Sequence, residues 1–201
     1  MKRNTTQPKI IIAVPCSDSM SMKAMTAHAI GCTILGAKDL VTDFLLRISC
    51  DIVSSRTWLV NEAIKNGGTH ILFVDSDMHF NMSTVHSLLA HKKEIVGTEY
   101  NKRKFPLEGT FKPMTERSET ELYEANYAGM GCMLIDLSIF EKEWVDSETG
   151  KKLPWFNFGR DSQGNLAMGE DAFFSNAARE MGIKTYIDPT IKVRHQGDYF
   201  F

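Results

Sequence analysis

Two carboxylates follow directly on an apolar run in the middle of the chain. Residues 70–80 read HILFVDSDMHF, and the lack of polar alternation from 71 to 74 predicts a strand at 71–75 covered on both faces. Side chains alternate along a strand, so Asp75 and Asp77 should point one way and Ser76 the other.

This acidic motif predicts a metal site. Neighbouring carboxylates repel each other unless a cation lies between them, and open α/β sheets bind ligands at the carboxyl edge of their strands. Oxygen ligands favour Mg²⁺, Mn²⁺ or Ca²⁺ over Zn²⁺. The alternative is that one aspartate caps the next helix and the other is solvated.

Three further charged positions have residue types that could take part in the same chemistry. Glu170 and Asp171 open a predicted helix at 169–181, where they either compensate the helix dipole or, in a cleft, supply a general base. His195 follows a β-alternating run; a lone histidine is usually structural, but imidazole can complete a Mn²⁺ site.

A cation near a helix start is a fourth candidate. Arg56 falls in the first turn of a helix predicted to begin at Ser54 or Ser55 and to end at residues 66–68. Because the helix dipole disfavours a cation there, Arg56 either has an anionic partner, a phosphate or a carboxylate, or is solvated.

Small residues follow two of the predicted strands. The first strand, residues 9–15, stops at Pro15, and the hydroxyl-rich loop that contains Ser17 either lines a nucleotide site or caps a helix from Asp18 or Ser19. Gly129 and Gly131 lie beside the strand predicted within 127–135 and would let a ligand approach the backbone.

Two loop segments have open interpretations. The basic stretch 100–106 either meets a diphosphate or is a solvated surface run. The aromatic residues of 154–158 lie in a long predicted loop, where they either stack on sugar faces or fix the loop to the core.

Length and charge limit the classes of protein. The 201 residues suit a flexible tail at 1–8 and a single domain at 9–201, and a net charge of −2 gives no electrostatic footprint for nucleic acid or an anionic membrane. The sequence contains neither an apolar run of about 20 residues nor a signal-peptide core, so we expect a cytoplasmic protein. The four cysteines are widely spaced and are expected to be reduced core residues.

Four motifs occur together in a recognisable order: Asp75-Ser76-Asp77, Gly129-Met130-Gly131, Glu170-Asp171 and His195. Over nearly the whole chain the sequence resembles the GT-A class of nucleotide-sugar glycosyltransferases, in particular its small stand-alone members from bacteria and viruses. The motifs correspond to the Asp-x-Asp metal motif, the glycine-rich loop near the sugar, the x-Glu-Asp motif and the C-terminal histidine ligand of that class.

The resemblance implies an α/β fold, a Rossmann-like three-layer α/β/α sandwich with a mostly parallel mixed sheet. It implies Mn²⁺ or Mg²⁺ held by Asp75, Asp77 and His195, with Asp77 on the donor diphosphate and Asp75 nearer the ribose or a metal-bound water. The nucleotide-sugar donor, with UDP the most frequent base, would be bound by Pro15, Ser17, Arg56, Asp75, Ser76, Asp77, Gly129 and Gly131.

For the reaction, the resemblance implies transfer to a hydroxyl of a glycan or glycoconjugate, in the host cytoplasm if the protein is viral. Asp171 is the expected base of an inverting reaction, and Glu170 is the second choice or an acceptor-binding group. In a retaining enzyme the same pair would position the sugar.

Two other functions remain open. A sugar nucleotidyltransferase shares the architecture, but it usually carries a glycine-rich basic loop after the first strand, and residues 15–20 contain neither glycine nor a cation. The second is a binding module that has lost transfer activity, against which the intact Asp77, Asp171 and His195 argue.

Overall fold

The computed structural model describes residues 7–17, 22–146 and 149–197. No helix within these ranges is both long enough and apolar enough to cross a membrane. The helices are α1 (Ala24–Gly36), α2 (Ile52–Lys65), α3 (Thr84–Ala90) and α4 (Glu170–Glu180), with a 3-10 helix at Leu137–Glu141. The strands are β1 (Ile10–Cys16), β2 (Val41–Ile48), β3 (His70–Val74), β4 (Met78–His79), β5 (Ile95–Thr98), β6 (Phe111–Pro113), β7 (Tyr123–Ala128), β8 (Cys132–Asp136), β9 (Gly159–Arg160), β10 (Leu166–Met168), β11 (Thr185–Asp188) and β12 (Arg194–His195).

Eight of these strands form one mixed sheet in the order β2-β1-β3-β8-β5-β11-β7-β6. Strands β8 and β7 run opposite to the other six, so the predicted mixed, mostly parallel sheet is confirmed. Two short antiparallel pairs lie outside the sheet, β9 with β10 and β4 with β12. The second pair matters for the site, because it aligns His195 with Met78, the residue after Asp77.

The sheet separates two apolar clusters. Along β1, Ile11 and Ala13 belong to one cluster, whereas Ile10, Ile12 and Val14 belong to the other, as expected for a strand buried on both faces. Helices α2 and α4 contribute to the first cluster, and α1 and α3 contribute to the second. The predicted three-layer α/β/α arrangement is therefore confirmed.

The helix that carries Arg56 begins earlier than the sequence predicted. Helix α2 starts at Ile52, because the Asp51 side chain accepts a hydrogen bond from the Val53 amide at 3.0 Å and so caps the helix in place of a serine. Arg56 consequently lies beyond the first turn, where the helix dipole gives no reason to expect an anion.

The strand before the acidic motif ends one residue earlier than predicted. Strand β3 stops at Val74, which pairs with Cys132 at the start of β8. The next residues form a turn in which the Met78 amide donates to the Asp75 carbonyl at 3.2 Å. The expectation that Asp75 and Asp77 lie on one strand face is therefore wrong, because strand alternation does not extend into a turn.

The predicted ends of the chain and the loop after β1 are only partly covered. Residues 1–6 of the predicted tail, and the predicted cap Asp18 or Ser19, lie outside the described residues. The tail at 1–8 and the single domain at 9–201 stay predictions. None of the four cysteines forms a disulfide, but Cys32 is half-buried and Cys50 is exposed, so the expected core location holds for Cys16 and Cys132.

Aromatic residues of the loop after the 3-10 helix are part of the core. Phe156 is 2% exposed and stacks on Phe174 of α4 with ring centroids 5.3 Å apart. Trp155 packs edge-on against Phe140 at 5.2 Å. Of the two interpretations of this loop, the structure supports attachment to the core, since these two rings face protein.

Replacing Phe156 should show how much this contact stabilises the protein. Phe156→Ala removes a buried ring and leaves a cavity, so we expect the free energy of unfolding in urea to fall by about 3–5 kcal/mol. The matched control is Phe105→Ala, whose ring is 72% exposed, and surface changes usually alter stability by only about 0.5 kcal/mol. Equal losses for the two variants would contradict the core assignment.

Candidate active site

A buried arginine joins two of the predicted site carboxylates. Arg56 of α2 is 2% exposed, and its Nη2 lies 3.1 Å from Asp75 Oδ1 and 3.5 Å from Glu170 Oε1. Its guanidinium also lies over the Phe73 ring at 5.0 Å. The partner of Arg56 is thus a pair of carboxylates, one after β3 and one at the start of α4.

Burial and neighbouring charges both shift the pKa of Arg56. Burial alone would lower the pKa of Arg56, but the charges of Asp75 and Glu170 outweigh burial, so the pKa is raised and the guanidinium stays charged. Its Nε and Nη1 atoms are buried and have no hydrogen-bond partner within the described part of the chain. Arg56 is therefore held between the two carboxylates, and its donor-binding role stays a prediction.

The neighbouring aspartate has a different environment. Asp171 lies beside Glu170, and its Oδ1 accepts a hydrogen bond from the Ala172 amide at 2.7 Å. Its pKa is raised, first by burial and then by the negative charge of Glu170. Asp171 also lines a cavity of about 510 Å³, whereas Glu170 is engaged by Arg56. A carboxylate with a raised pKa beside a cavity is suited to accepting a proton.

Asp77 and His195 form the second charged group of the site. His195 Nε2 lies 3.1 Å from Asp77 Oδ1, and Arg103 Nη1 lies 2.8 Å from Asp77 Oδ2. Burial alone would raise the pKa of Asp77, but its hydrogen bond to His195 and the nearby positive charges lower it.

The partners of His195 favour the protonated form of its ring. Its Nδ1 lies 3.1 Å from the Asn101 carbonyl, which can only accept, so Nδ1 carries a hydrogen. Its Nε2 faces the Asp77 carboxylate, which also accepts, so both ring nitrogens are placed to donate and the protonated ring is favoured. Burial would lower the pKa of His195, but Asp77 outweighs burial and raises it.

The two glycines after β7 make room for an aromatic ring. The Gly131 amide donates to the Tyr100 hydroxyl at 2.8 Å, and a Cβ on Gly131 would lie 2.7 Å from that hydroxyl and 3.1 Å from Asp75 Oδ2. A Cβ on Gly129 would also clash with the Tyr100 hydroxyl. Tyr100 packs in turn on His195, with ring centroids 5.6 Å apart. These glycines therefore allow Tyr100 to connect the two charged groups.

A continuous set of contacts brings most of the predicted site residues together. It runs through Glu170, Arg56, Asp75, Gly131, Tyr100, His195 and Asp77.

The remaining predicted donor-site residues lie beside this set. Ser76 lies in the same turn as Asp75, where its carbonyl accepts from the Lys23 amide at 2.8 Å, and the Gly129 amide donates to the Thr110 carbonyl. Pro15 is buried opposite Arg47 at the carboxyl end of β1, and Ser17 is exposed just beyond it. The donor-binding roles of Pro15, Ser17, Ser76 and Gly129 stay predictions.

The predicted metal ligands do not form a ready three-ligand cluster. No group of three His, Cys, Asp or Glu side chains within residues 7–17, 22–146 and 149–197 is arranged to hold a metal ion. Asp77 and His195 are in contact, but the Asp75 carboxylate is held by Arg56. The metal-binding role of all three stays a prediction.

Solved structures share this arrangement of strands and helices. A197 from STIV superposes with a TM-score of 0.63 at 16% identity, over 96% of this chain and 87% of that one. GalNAc-T7, in a structure with UDP, GalNAc and Mn²⁺, superposes with a TM-score of 0.57 at 13% identity over 95% of this chain. The chain has the GT-A glycosyltransferase fold. It spans 44% of the length of GalNAc-T7, and no protein-family model or curated protein matches its sequence.

Sequence reasoning did not single out two residues of this GT-A site. Tyr100 and Arg103 both lie in the basic stretch 100–106, whose pattern predicts a property of the stretch as a whole and not of its single residues. Only the structure shows that Tyr100 is buried between the glycines and His195, and that Arg103 contacts Asp77. The sequence signal was the charge of the stretch, which cannot identify the contact each side chain makes.

Removing the Arg56 charge should destabilise the protein. Arg56→Met leaves Asp75 and Glu170 without their cation, so we expect a loss of about 3 kcal/mol in the free energy of unfolding in urea. The triple variant Arg56→Met, Asp75→Asn, Glu170→Gln should recover a large part of this loss, because no unpaired charge is left. As a control, Arg103→Met removes a half-exposed arginine and should cost about 1 kcal/mol at most. A triple variant no more stable than the single one would contradict the bridge.

Proposed function

We propose that this protein is a metal-dependent glycosyltransferase that moves a sugar from a nucleotide-sugar donor to a hydroxyl of a glycan or glycoconjugate. The observation that carries the proposal is the Arg56 bridge, which joins Asp75 of the Asp-x-Asp motif to Glu170 of the Glu-Asp pair. Within a GT-A fold these two motifs flank the place where donor and acceptor would meet.

Asp77 and His195 are suited to hold the Mn²⁺ or Mg²⁺ that the proposal requires. A carboxylate oxygen and an imidazole nitrogen lie 3.1 Å apart, and Mn²⁺ accepts both kinds of ligand. Such ions often use only one or two protein carboxylates and complete their shell with substrate phosphates and water, so a preformed cluster of three is not needed. When bound, the cation would neutralise the charge that develops on the leaving nucleoside diphosphate.

The two carboxylates held by Arg56 have positioning roles in this proposal. Asp75, fixed by Arg56, would face the ribose or a metal-bound water. Glu170 shares the same guanidinium, so its carboxylate is already engaged in an ion pair. The bridge thus favours Asp171 over Glu170 as the base.

Asp171 would take the proton of the acceptor hydroxyl as that oxygen attacks the anomeric carbon, and the sugar configuration would invert. Its raised pKa strengthens it as a base, and its place in the cavity wall gives an acceptor access to it. The Ala172 amide holds the carboxylate in position at 2.7 Å.

The first test concerns the donor and the metal. GalNAc-T7 shares the fold and was solved with UDP and Mn²⁺, so UDP-sugars with Mn²⁺ are the first donors to try. A ligand that binds only the folded state raises the melting temperature, and we expect such a rise for one donor, abolished by chelation. Asp77→Ala should abolish the Mn²⁺-dependent part of the rise, whereas the exposed control Asp39→Ala should keep it. An unchanged rise in Asp77→Ala at limiting Mn²⁺ would contradict the metal assignment.

The second test concerns the base. Asp171→Asn should keep the donor-dependent rise in melting temperature but lower kcat by about 10²–10⁴-fold, the usual contribution of a general base. In the wild type, kcat should fall as the pH drops through the Asp171 pKa, because only the ionised carboxylate accepts a proton. Burial raises this pKa, so the fall should begin above the ordinary range of aspartate. Substantial turnover by Asp171→Asn would remove Asp171 as the base.

A further inference from the structure

The cavity beside Asp171 has a composition that the proposed reaction does not explain. Its volume is about 510 Å³, and it is lined by residues of the edge strand β6, its neighbour β7, strand β10 and the start of α4. Its wall contains Asp171 and two lysines. It also contains an aromatic ring and an amide, which are groups suited to binding a sugar. The residues that line it include Lys102, Lys112, Asn126, Tyr127, Met168 and Asp171.

The charge of this wall is not balanced within the protein. Besides Asp171, its charged members are Lys102 and Lys112. Lys102 contacts Glu108, which also contacts Lys104, so one carboxylate serves two ammonium groups. Within the described ranges Lys112 has no ion pair, although other cations near this edge of the sheet do: Lys184 lies 2.8 Å from Glu124, and Arg117 lies 2.6 Å from Glu99.

The two lysines line this cavity, whereas the arginine that contacts Asp77 does not. The cation nearest the Asp-x-Asp motif is Arg103, which contacts Asp77, and neither Arg103 nor Asp77 lines this cavity. Lys112 is exposed on β6 and lies directly opposite Tyr127 of β7 in the antiparallel register. Directly opposed residues on antiparallel strands project side by side, and both Lys112 and Tyr127 line this cavity.

We propose that the acceptor is an anionic sugar, one that carries a carboxylate or a phosphate group. The proposal rests on the proposed function, because it assigns to the acceptor the cavity that contains the base. A hydroxyl of the acceptor would face Asp171, the sugar ring would pack on Tyr127, and the anionic group would lie on Lys112 with Lys102 beside it. Met168 of β10 also lines the cavity.

The test compares matched neutral and charged sugars on the full chain without requiring turnover. The probes are p-nitrophenyl β-D-glucoside against p-nitrophenyl β-D-glucuronide for the carboxylate, and glucose against glucose 6-phosphate for the phosphate. Dissociation constants are measured by NMR chemical-shift titration, with and without UDP and Mn²⁺. We expect the anionic member of at least one pair to bind about threefold to tenfold more tightly, as one or two exposed ion pairs would give. The preference should shrink as salt is added.

Variants locate this preference in the cavity. Lys112→Gln should reduce the preference for the anionic sugar while leaving the affinity for the neutral one unchanged, and Lys102→Gln, Lys112→Gln together should abolish it. Lys112→Arg keeps the charge and should keep the preference. The matched control is Lys184→Gln, directly before strand β11. This variant should also keep the preference for the anionic sugar. Equal binding of neutral and anionic sugars by the wild type, or a preference that survives in the double variant, would overturn the proposal.

The same experiment separates this proposal from the proposed function. If a UDP-sugar raises the melting temperature but no anionic preference is found, the acceptor class is wrong and the glycosyltransferase proposal stands. If the lysine-dependent preference is found but no donor binds with any metal, the cavity binds anionic sugars without serving as an acceptor site. That second result would overturn both the acceptor role and the proposed function.

Discussion

The site depends on the burial of one positive charge. A guanidinium removed from water is costly unless carboxylates and hydrogen bonds compensate it, and Arg56 is compensated by Asp75 and Glu170. These carboxylates lie 19 and 114 residues further along the chain, so the bridge forms only when α2, the end of β3 and the start of α4 pack together. The folded sheet and the geometry of the site are therefore coupled through a single side chain.

The bridge also gives chemically similar carboxylates different roles. The four acidic side chains of the site differ in the cations that they contact. Asp75 and Glu170 share Arg56, whereas Asp77 contacts His195 and Arg103. Asp171 lies next to Glu170 and has no direct ion pair within the described ranges. Environments that shift the pKa values of neighbouring carboxylates in opposite directions separate acid–base roles from binding roles. Here the pKa of Asp77 is lowered and that of Asp171 is raised, which matches a ligand-binding role for the first and a proton-accepting role for the second.

The sequence predicted the layers of the fold better than the contacts of the site. Apolar runs fix where strands are buried, so β1 and β3 and their position between helices followed from the pattern. The end of β3 did not follow, because it depends on where pairing with β8 stops at Cys132. Likewise, the pattern left open whether Arg56 has an anionic partner or is solvated, and one of the two carboxylates that decide this lies 114 residues away in the sequence. For Phe156, the pattern left open whether the ring packs in the core or binds a ligand. The ring stacks on Phe174, which lies in another element, so the local sequence could not identify this contact.

The same charge pairing bears on how a ligand would enter. Both Asp77 oxygens contact cations of the chain, with Arg103 at 2.8 Å and His195 at 3.1 Å. If Asp77 binds a divalent cation as proposed, Arg103 has to leave it and His195 has to give up the Nε2 proton. Arg103 is about half exposed and belongs to the loop between β5 and β6, so it can move at little cost to packing. Its charge would then be available to the diphosphate of the donor, so one side chain would pair first with Asp77 and then with the ligand.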